Sequence, residues 1–484
     1  MKGKNMGATA NSTLKWNEFL DADNEFSIPL ETPLTTDPEP RETTSALIGI
    51  IPSLIIICCI GTVLALTYIH WAKLEVARDL FLATTWSAIF LWGGGTFLVI
   101  NVAALAWRLV LFLNYKNIPA CEDAELPTCT VIVPAYNESE QVLTTLQSIA
   151  NSNYPKKKLQ IIAVDDGSQD DTWQWIVKAS KQLKGRITAL KQPRNKGKRE
   201  ALYAGFRKSR GDVLVTIDSD STIEPDTLRS LVSPFVVDSR VGAVAGNVRV
   251  LNQDKGVIPK MLDIVFVFSF DFIRTSQSMV NTVMCTPGAL SAYRSNIVRN
   301  VLQEWLHQTF IGRPAKIGED RAMTNLILRE GYSVLFQQNA KVYTNVPTHY
   351  SNLCKMFLRW ARSNVRETLV MSRFAFRRFR KGSMLGARIN LLLSWLSLVK
   401  SQFFVFFTWA LIVWQPLTMC LNVLLGIVIS ASLLAGLYMV RYRNQNALLA
   451  YAYHLFWFTS LFWITPYATL TAHRSEWLTR NIST

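Results

Sequence analysis

The sequence predicts an α/β domain with a mostly parallel, Rossmann-like sheet, inserted between membrane-spanning helices. Three observations predict it. Charge-free apolar runs long enough to cross a bilayer stand on both sides of a more polar middle. Within that middle, from Pro127 to about His349, short β-rich runs alternate with helical stretches, the pattern of a parallel sheet with crossover helices. Three of the runs, CTVIVPA, LQIIAVDD and DVLVTIDSD, end in polar clusters: Tyr136-Asn137-Glu138, Asp165-Asp166-Gly167-Ser168 and Asp218-Ser219-Asp220. Ligands of such sheets bind at the carboxyl ends of the strands.

Along the chain, residues 1–44 are polar and aperiodic, and read as a disordered tail. They lack a basic region leading into a short apolar core, so they do not read as a signal peptide. Residues 45–113 hold two spans, Ala46–Ile69 and Leu80–Trp107, the second staying apolar past Arg108 to Leu113. Residues 114–350 form the α/β domain. Residues 351–388 are basic, with Trp360, Phe374, Phe376 and Phe379 interleaved, and read as helices lying on an anionic membrane face. Residues 389–473 carry the apolar runs Ile389–Trp414, Leu417–Val440 and Ala447–Ala472, three or four spans, before a tail at 474–484. Lys400 within the first of these either faces a polar pore or snorkels to an interface. The positive-inside rule puts Arg441, Arg443 and the basic 373–381 block on the cytoplasmic side, with the α/β domain and the N-terminus. The expectation is a multi-pass plasma-membrane protein with a cytoplasmic catalytic domain.

The net charge of +16, from 51 Lys and Arg against 35 Asp and Glu, suits nucleic acid, an anionic membrane or a phosphate-bearing substrate. Nucleic acid is disfavoured, because acidic groups at strand ends would repel its backbone. The seven cysteines show no metal-ligand spacing and read as reduced. Asp218 and Asp220, at i and i+2 beyond an apolar run, repel each other unless a divalent cation sits between them, and hard oxygen ligands suit Mg²⁺ or Mn²⁺. The same D-x-D also serves simply to begin a polar turn.

The motifs stand in a definite order: VIVPAYNE (131–138), VDDGSQDDT (164–172), NKGKREAL (195–202), DSD (218–220), TPGALSAYR (286–294), GEDR (318–321) and RWARSNVRE (359–367). That order resembles the family 2 inverting glycosyltransferases. It is most similar to their membrane-embedded processive branch, the hyaluronan synthases and the rhizobial chitin-oligosaccharide synthase, and more distantly to cellulose synthase. The resemblance covers residues 127–372 at motif level and implies a GT-A-type domain. It implies that Tyr136, Glu138 and Asp165 hold the uridine of a UDP-sugar, and that Lys198 and Arg199 contact its diphosphate. It implies that Asp218 and Asp220 hold the metal that stabilises departing UDP. Asp320 matches the general base that deprotonates the acceptor hydroxyl, although its position before RAMTNLILRE also suits a helix cap. Its neighbour Glu319 is expected to point elsewhere. Arg321, in the same motif, and Gly288, near where the growing chain would rest, are expected to contact substrate. Arg359 would contact diphosphate, and Trp360 would floor the acceptor site. Trp477–Arg480 resembles a C-terminal W-x-T-R that caps the nucleotide, or anchors a tail at the interface.

Two departures stand out. Met356 occupies the Gln position of the family's Q-x-x-R-W signature, and Thr286-Pro287-Gly288 departs from its Cys/Ser-Gly-Pro/Ser order. Both bear on acceptor contacts and product identity. The resemblance implies a processive enzyme that polymerises a β-linked, hyaluronan- or chitin-like polysaccharide and translocates it across the bilayer. A non-processive transferase acting on a lipid phosphate and a non-enzymatic basic membrane scaffold are the rival readings.

Overall fold

A computed structural model describes residues 45–69, 85–414 and 416–474. The expected tail at 1–44, the start of the second apolar run and the Trp477–Arg480 motif lie outside the described residues. The strands are β1 (Cys129–Ala135), β2 (Leu159–Asp165), β3 (Ile187–Lys191), β4 (Val213–Ile217), β5 (Ser221–Ile223), β6 (Val241–Val250), β7 (Leu290–Arg294), β8 (Thr309–Phe310), β9 (Arg313–Pro314) and β10 (Ser333–Thr344). β8 and β9 pair with each other, and the rest form one sheet in the order β3-β2-β1-β4-β7-β6-β10-β5. Only β5 and β7 run against the common direction.

Every residue of β1, β4 and β6 is buried. For β1 and β4 this follows from their sequences, apolar runs without charge that demand cover on both faces, whereas β6 is buried although it carries Asn247 and Arg249. The helices Gln141–Ala150, Thr172–Gln182, Lys198–Lys208 and Thr227–Val237 supply much of it. The chain moves outward from β1 to β3, then returns to place β4 on β1's other side. That reversal opens a crevice where β1 and β4 end, the position at which open α/β sheets bind ligands.

The apolar runs form the helices Ser45–Ile69, Thr85–Leu113, Leu385–Trp414 and Pro416–Tyr442, and a pair, Gln445–Leu461 and Ile464–Leu470, bent by 43°. Among the described residues, Gly95–Leu113 and Asn422–Tyr442 are long and apolar enough to cross a membrane, and the bent pair would be a third such span. These segments mark a membrane protein.

The basic stretch departs from expectation. Tyr350–Ser372 is a helix, but residues 373–381 form turns. Phe374 and Phe379 turn inward and meet edge to face at 5.4 Å. Arg380 is spent on Asn281 O and Thr282 Oγ1, both at 3.1 Å, and Ser383 O at 2.7 Å. Local contacts to the α/β domain, not an amphipathic period, set this segment.

The domain is joined to the Pro416–Tyr442 helix by buried polar groups. Arg249 on β6 makes a two-point ion pair with Asp263, Nε–Oδ1 at 3.0 Å and Nη2–Oδ2 at 2.9 Å. Tyr438 donates to Asp263 Oδ2 at 3.0 Å, and Tyr442 to Asp271 Oδ2 at 2.7 Å. The Arg249 guanidinium also lies 4.0 Å from the Tyr442 ring centroid. Removing one partner of such a pair leaves a buried charge. Arg249→Met is therefore expected to destabilise by about 3–5 kcal/mol, and Arg249→Met/Asp263→Leu to recover most of it. Thermal unfolding of the purified chain measures both; equal melting of wild type and single variant would overturn the assignment.

Candidate active site

The turn after β1 carries two non-glycine residues in the left-handed region, Asn137 (φ 54) and Ser139 (φ 46). Such backbone persists only where its surroundings over-determine it. Here the loop after β2 does so. Thr172 Oγ1 accepts from Glu138 N at 2.8 Å and Ser139 N at 2.9 Å, Ser168 Oγ from Asn137 N at 3.0 Å, and Asn137 Oδ1 from Gln169 N at 2.9 Å. The ends of β1 and β2 are thus stapled into one rim. Asp165 is fully buried there; its Oδ1 accepts from Ser168 N at 3.0 Å, while Oδ2 has no partner among the described residues.

Asp166, the second acid of that motif, has a different task. Its carboxylate accepts from Lys196 N at 2.9 Å and Gly197 N at 2.8 Å. This pins the loop that starts the Lys198–Lys208 helix and delivers Lys198 to the crevice. Lys198 pairs with Asp218 beyond β4, and its Nζ lies 3.4 Å from Glu319 Oε1. Burial by itself would lower the Lys198 pKa, but the two carboxylates outweigh it and the shift is upward. Gly288 closes on this pair: a Cβ there would lie 2.6 Å from Lys198 Nζ and 3.5 Å from Asp218 Oδ2. Asp220 accepts from Thr344 Oγ1 and Ser221 Oγ, both at 3.2 Å.

The GEDR segment opens the Glu319–Arg329 helix, whose N-cap is Gly318 (φ 74), not Asp320. A Cβ on Gly318 would fall 1.9 Å from Ser363 Oγ, so the helix start abuts Tyr350–Ser372 too closely for any side chain. Trp305 Nε1 donates to Glu319 O at 2.8 Å. Behind, the fully buried Glu367 accepts from Asn325 Nδ2 at 2.9 Å, Gln308 Nε2 at 3.0 Å and Arg366 Nε at 3.1 Å, while Arg366 also donates to Ile317 O. Asp320 Oδ2 receives Cys285 Sγ at 3.7 Å. Burial first, and then the adjacent Glu319 carboxylate, push the Asp320 pKa up. Burial would raise Glu319 too, but Lys198 overrides it and holds Glu319 below the usual carboxylate range. Two neighbouring acids are thereby driven apart in acidity. Burial also pushes the Cys285 thiol up, to about 12.

These groups line one cleft of about 630 Å³. It brings together Glu138, Lys198, Asp218, Asp220, Gly288, Asp320, Arg321, Arg359 and Trp360, with Met356 beside them. Arg321 is also braced outward, donating to Asn364 Oδ1 and to Thr368 Oγ1 at 3.2 Å. Trp360 is 43% exposed, and its ring meets Phe266 at 6.1 Å and Phe357 at 5.8 Å. Beyond Trp360 the wall passes to Tyr453, Trp457 and Thr465 of the bent helix pair. Tyr136 and Asp165 stay buried in the neighbouring rim, outside the cleft lining.

Arg199 departs from the expected basic pair. It turns inward, donates to Trp305 O and, at 3.1 Å, to Gln308 Oε1, and lies 5.1 Å from the Trp305 ring centroid. Burial lowers its pKa to about 10. Held by Trp305 and Gln308, Arg199 is turned away from the cleft that Lys198 lines. Glu319 departs the other way and lines the cleft beside Asp320. The helix meets the cleft with its first turn, so both leading side chains reach it. Arg274, Ser269 and Phe270 also line the cleft from a π-helical segment, Phe268–Arg274, that no sequence pattern singled out.

Residues 130–302 match the model of glycosyl transferase family 2. An N-acetylglucosaminyltransferase of Rhizobium meliloti (strain 1021) is 31% identical over 366 residues, 74% of this chain and 83% of that protein. The chain belongs to glycosyl transferase family 2. A hyaluronan synthase of Streptococcus pyogenes serotype M6 is 30% identical over 314 residues, 64% of this chain and 72% of that protein. Among solved structures, a mannosyltransferase from Pyrobaculum calidifontis, in complex with GDP-mannose and Mn²⁺, matches with a TM-score of 0.52 at 20% identity, over 78% of this chain and 97% of that one. Its likeness shows the shared GT-A fold. This chain is accordingly a glycosyltransferase with a GT-A-type domain beside apolar helices.

Gly318→Ala in this family 2 enzyme is expected to push the helix start off Ser363 and displace the leading acids. A shift of about 1 Å at a reacting group costs about 10²-fold in rate. Turnover should fall by that order, and adding Ser363→Gly should restore part of it. Unchanged turnover in the single variant would show that the close approach does not position the site.

Proposed function

We propose that this glycosyltransferase is a processive, inverting enzyme that builds a β-linked, hyaluronan- or chitin-like polysaccharide from UDP-sugars and passes it across the membrane. The observation that carries the reading is the continuity of the cleft, from Asp218 and Asp320 past Trp360 to Tyr453, Trp457 and Thr465 of the bent helix pair. A non-processive enzyme needs no such path from its acceptor site into apolar helices. The relatives that are an N-acetylglucosaminyltransferase and a hyaluronan synthase support it.

In this reading the stapled rim after β1 and β2 takes the uridine. The unpartnered, buried Asp165 Oδ2 is an acceptor in want of a donor, and an imide N–H of the base would supply one. Lys198 meets the diphosphate, as does Arg359. Asp218 and Asp220 fit a divalent cation, because both present hard oxygens to the same cleft. Among the described residues no group of three or more acidic, His or Cys side chains converges as a metal site, so phosphate oxygens and water would complete the shell. Mg²⁺ or Mn²⁺ held there would neutralise charge on the departing nucleotide.

Asp320 is the general base. Its raised pKa comes from burial and from Glu319, and it strengthens the carboxylate as a proton acceptor. Trp360 presents an apolar face to the acceptor sugar. Attack on the sugar carbon from the side opposite the nucleotide turns an α-linked donor into a β-linkage. The reading places the domain in the cytoplasm, where the donor is made, and the chain as a multi-pass plasma-membrane protein.

Asp320→Asn is expected to lower turnover about 10²–10⁴-fold while leaving UDP binding nearly intact. The wild-type rate should fall with acidity through a limb above the usual carboxylate range, because a raised pKa protonates the base earlier as pH drops. Turnover above half of wild type in the variant would place the base elsewhere.

The decisive experiment uses the purified chain in sealed vesicles with the catalytic domain outside. UDP release is read across a panel of UDP-sugars with Mn²⁺, with Mg²⁺ and after EDTA. Release should vanish with EDTA, and polymer should resist added glycosidase until detergent is supplied. Activity in chelated samples would remove the metal, and fully glycosidase-sensitive polymer would remove translocation.

A further inference from the structure

A second cavity, of about 940 Å³, lies away from the catalytic cleft, where the α/β domain meets the apolar helices. One wall is polar and comes from the domain, at Asn281 and Tyr332. The opposite wall is apolar, with Trp107 from the helix that carries the span Gly95–Leu113, and Leu385 and Ile389 from Leu385–Trp414. The turn between them supplies Arg378, Arg380 and Lys381.

The charges here do not cancel. Arg240 at the margin is held by Asp238 at 2.9 Å, while Glu330 lies 3.4 Å from Arg329, whose nearer partner is Glu304 at 2.6 Å. Among the described residues, Arg378, Arg380 and Lys381 have no acidic partner. The hydrogen bonds of Arg380 go to neutral oxygens on Asn281, Thr282 and Ser383. Burial lowers its pKa with no carboxylate to offset it. Set against Glu330, the three cations still leave a net positive charge beside an apolar wall, which calls for an anion with an apolar body.

We propose that this cavity seats the phosphate of an anionic phospholipid headgroup, with the acyl chains along Trp107, Leu385 and Ile389. Phosphate is the fitting anion, since the Arg378 guanidinium and Lys381 ammonium give it charge-assisted hydrogen bonds, while Arg380, its N–H groups spent on Val280, Asn281, Thr282 and Ser383, adds charge alone. A free phosphate would meet the cations but leave the apolar wall uncovered. Trp107 stands six residues before Leu113, about 9 Å inside the end of the span at 1.5 Å per residue, the depth of acyl chains, which suits it to the apolar wall. The site adjoins catalysis through one loop. Arg380 grips Asn281 and Thr282, and the same loop continues to Cys285 and Gly288 at the cleft. The proposal does not depend on which sugar is transferred.

The test uses the full chain in phosphatidylcholine nanodiscs doped with phosphatidylglycerol, with co-purifying lipid counted by native mass spectrometry. Wild type should retain phosphatidylglycerol over phosphatidylcholine. Arg378→Glu/Lys381→Glu should weaken that preference about tenfold or more. Lys156→Glu/Lys157→Glu, exposed and outside the lining of this cavity, makes the same charge change and should leave it intact. UDP binding checks that each variant is folded; if the double reversal fails this, Arg378→Gln/Lys381→Gln takes its place. Equal retention of both lipids, or equal loss in the control pair, would overturn the site. Displacement of phosphatidylglycerol by millimolar-range inorganic phosphate would overturn the lipid and leave a phosphate site.

Discussion

The ammonium of Lys198 lies between the carboxylates of Asp218 and Glu319, and much of the cleft depends on that placement. Asp218, Asp220, Glu319, Asp320 and Glu138 all line one space. Like charges gathered at partial burial repel strongly and would open the cleft or take up protons. Lys198 offsets two of them, and the acidity of Glu319 and Asp320 diverges beside it. Glu319, in contact with the lysine, is held ionised. Asp320, one residue further and without that contact, is pushed towards the neutral form. The cation therefore holds Glu319 ionised, while burial and that ionised neighbour push Asp320 the other way.

Keeping Lys198 there takes a chain of supports that carry no chemistry themselves. Asp166 pins the loop before the helix, and Gly288 leaves room above the ammonium. Trp305, Gln308, Arg366 and Glu367 fasten the GEDR helix from behind. Buried networks of this kind are stabilising only when every member is satisfied. The RWARSNVRE motif serves both sides of the arrangement. Arg359 and Trp360 face the cleft, while Arg366 and Glu367, two turns on, hold the wall.

The cleft is also coupled to the apolar helices. Phe266 and Phe270 form part of its lining, and Asp263 and Asp271 on the same stretch receive Tyr438 and Tyr442 from the Pro416–Tyr442 helix. A shift of that helix would therefore be felt at this part of the cleft lining. The bent pair supplies the next part of the wall directly.

Fold class and strand order of chemistry were legible in the sequence because they depend on local pattern. Unbroken apolar runs such as VLVTI must be covered on both faces, and polar clusters at their ends must emerge at the sheet's carboxyl edge. The positions of Asp218 and Asp220 follow from that pattern, whereas Lys198 and Asp320, at helix starts, are read from the order of the glycosyltransferase motifs. What local pattern could not show was which way each side chain turns once helices meet. Arg199 reads as a partner of Lys198, yet it is rotated into Trp305. Glu319 reads as idle, yet an end-on helix presents it beside Asp320. The basic 373–381 block reads as an amphipathic helix, yet contacts with residues 281–282, nearly a hundred positions away, hold it in turns. Sequence determined which elements form and which groups they carry to the sheet edge, since backbone period and burial are short-range. Only tertiary packing decided which of those groups meet, because rotation about a helix axis is set by the neighbour it packs against.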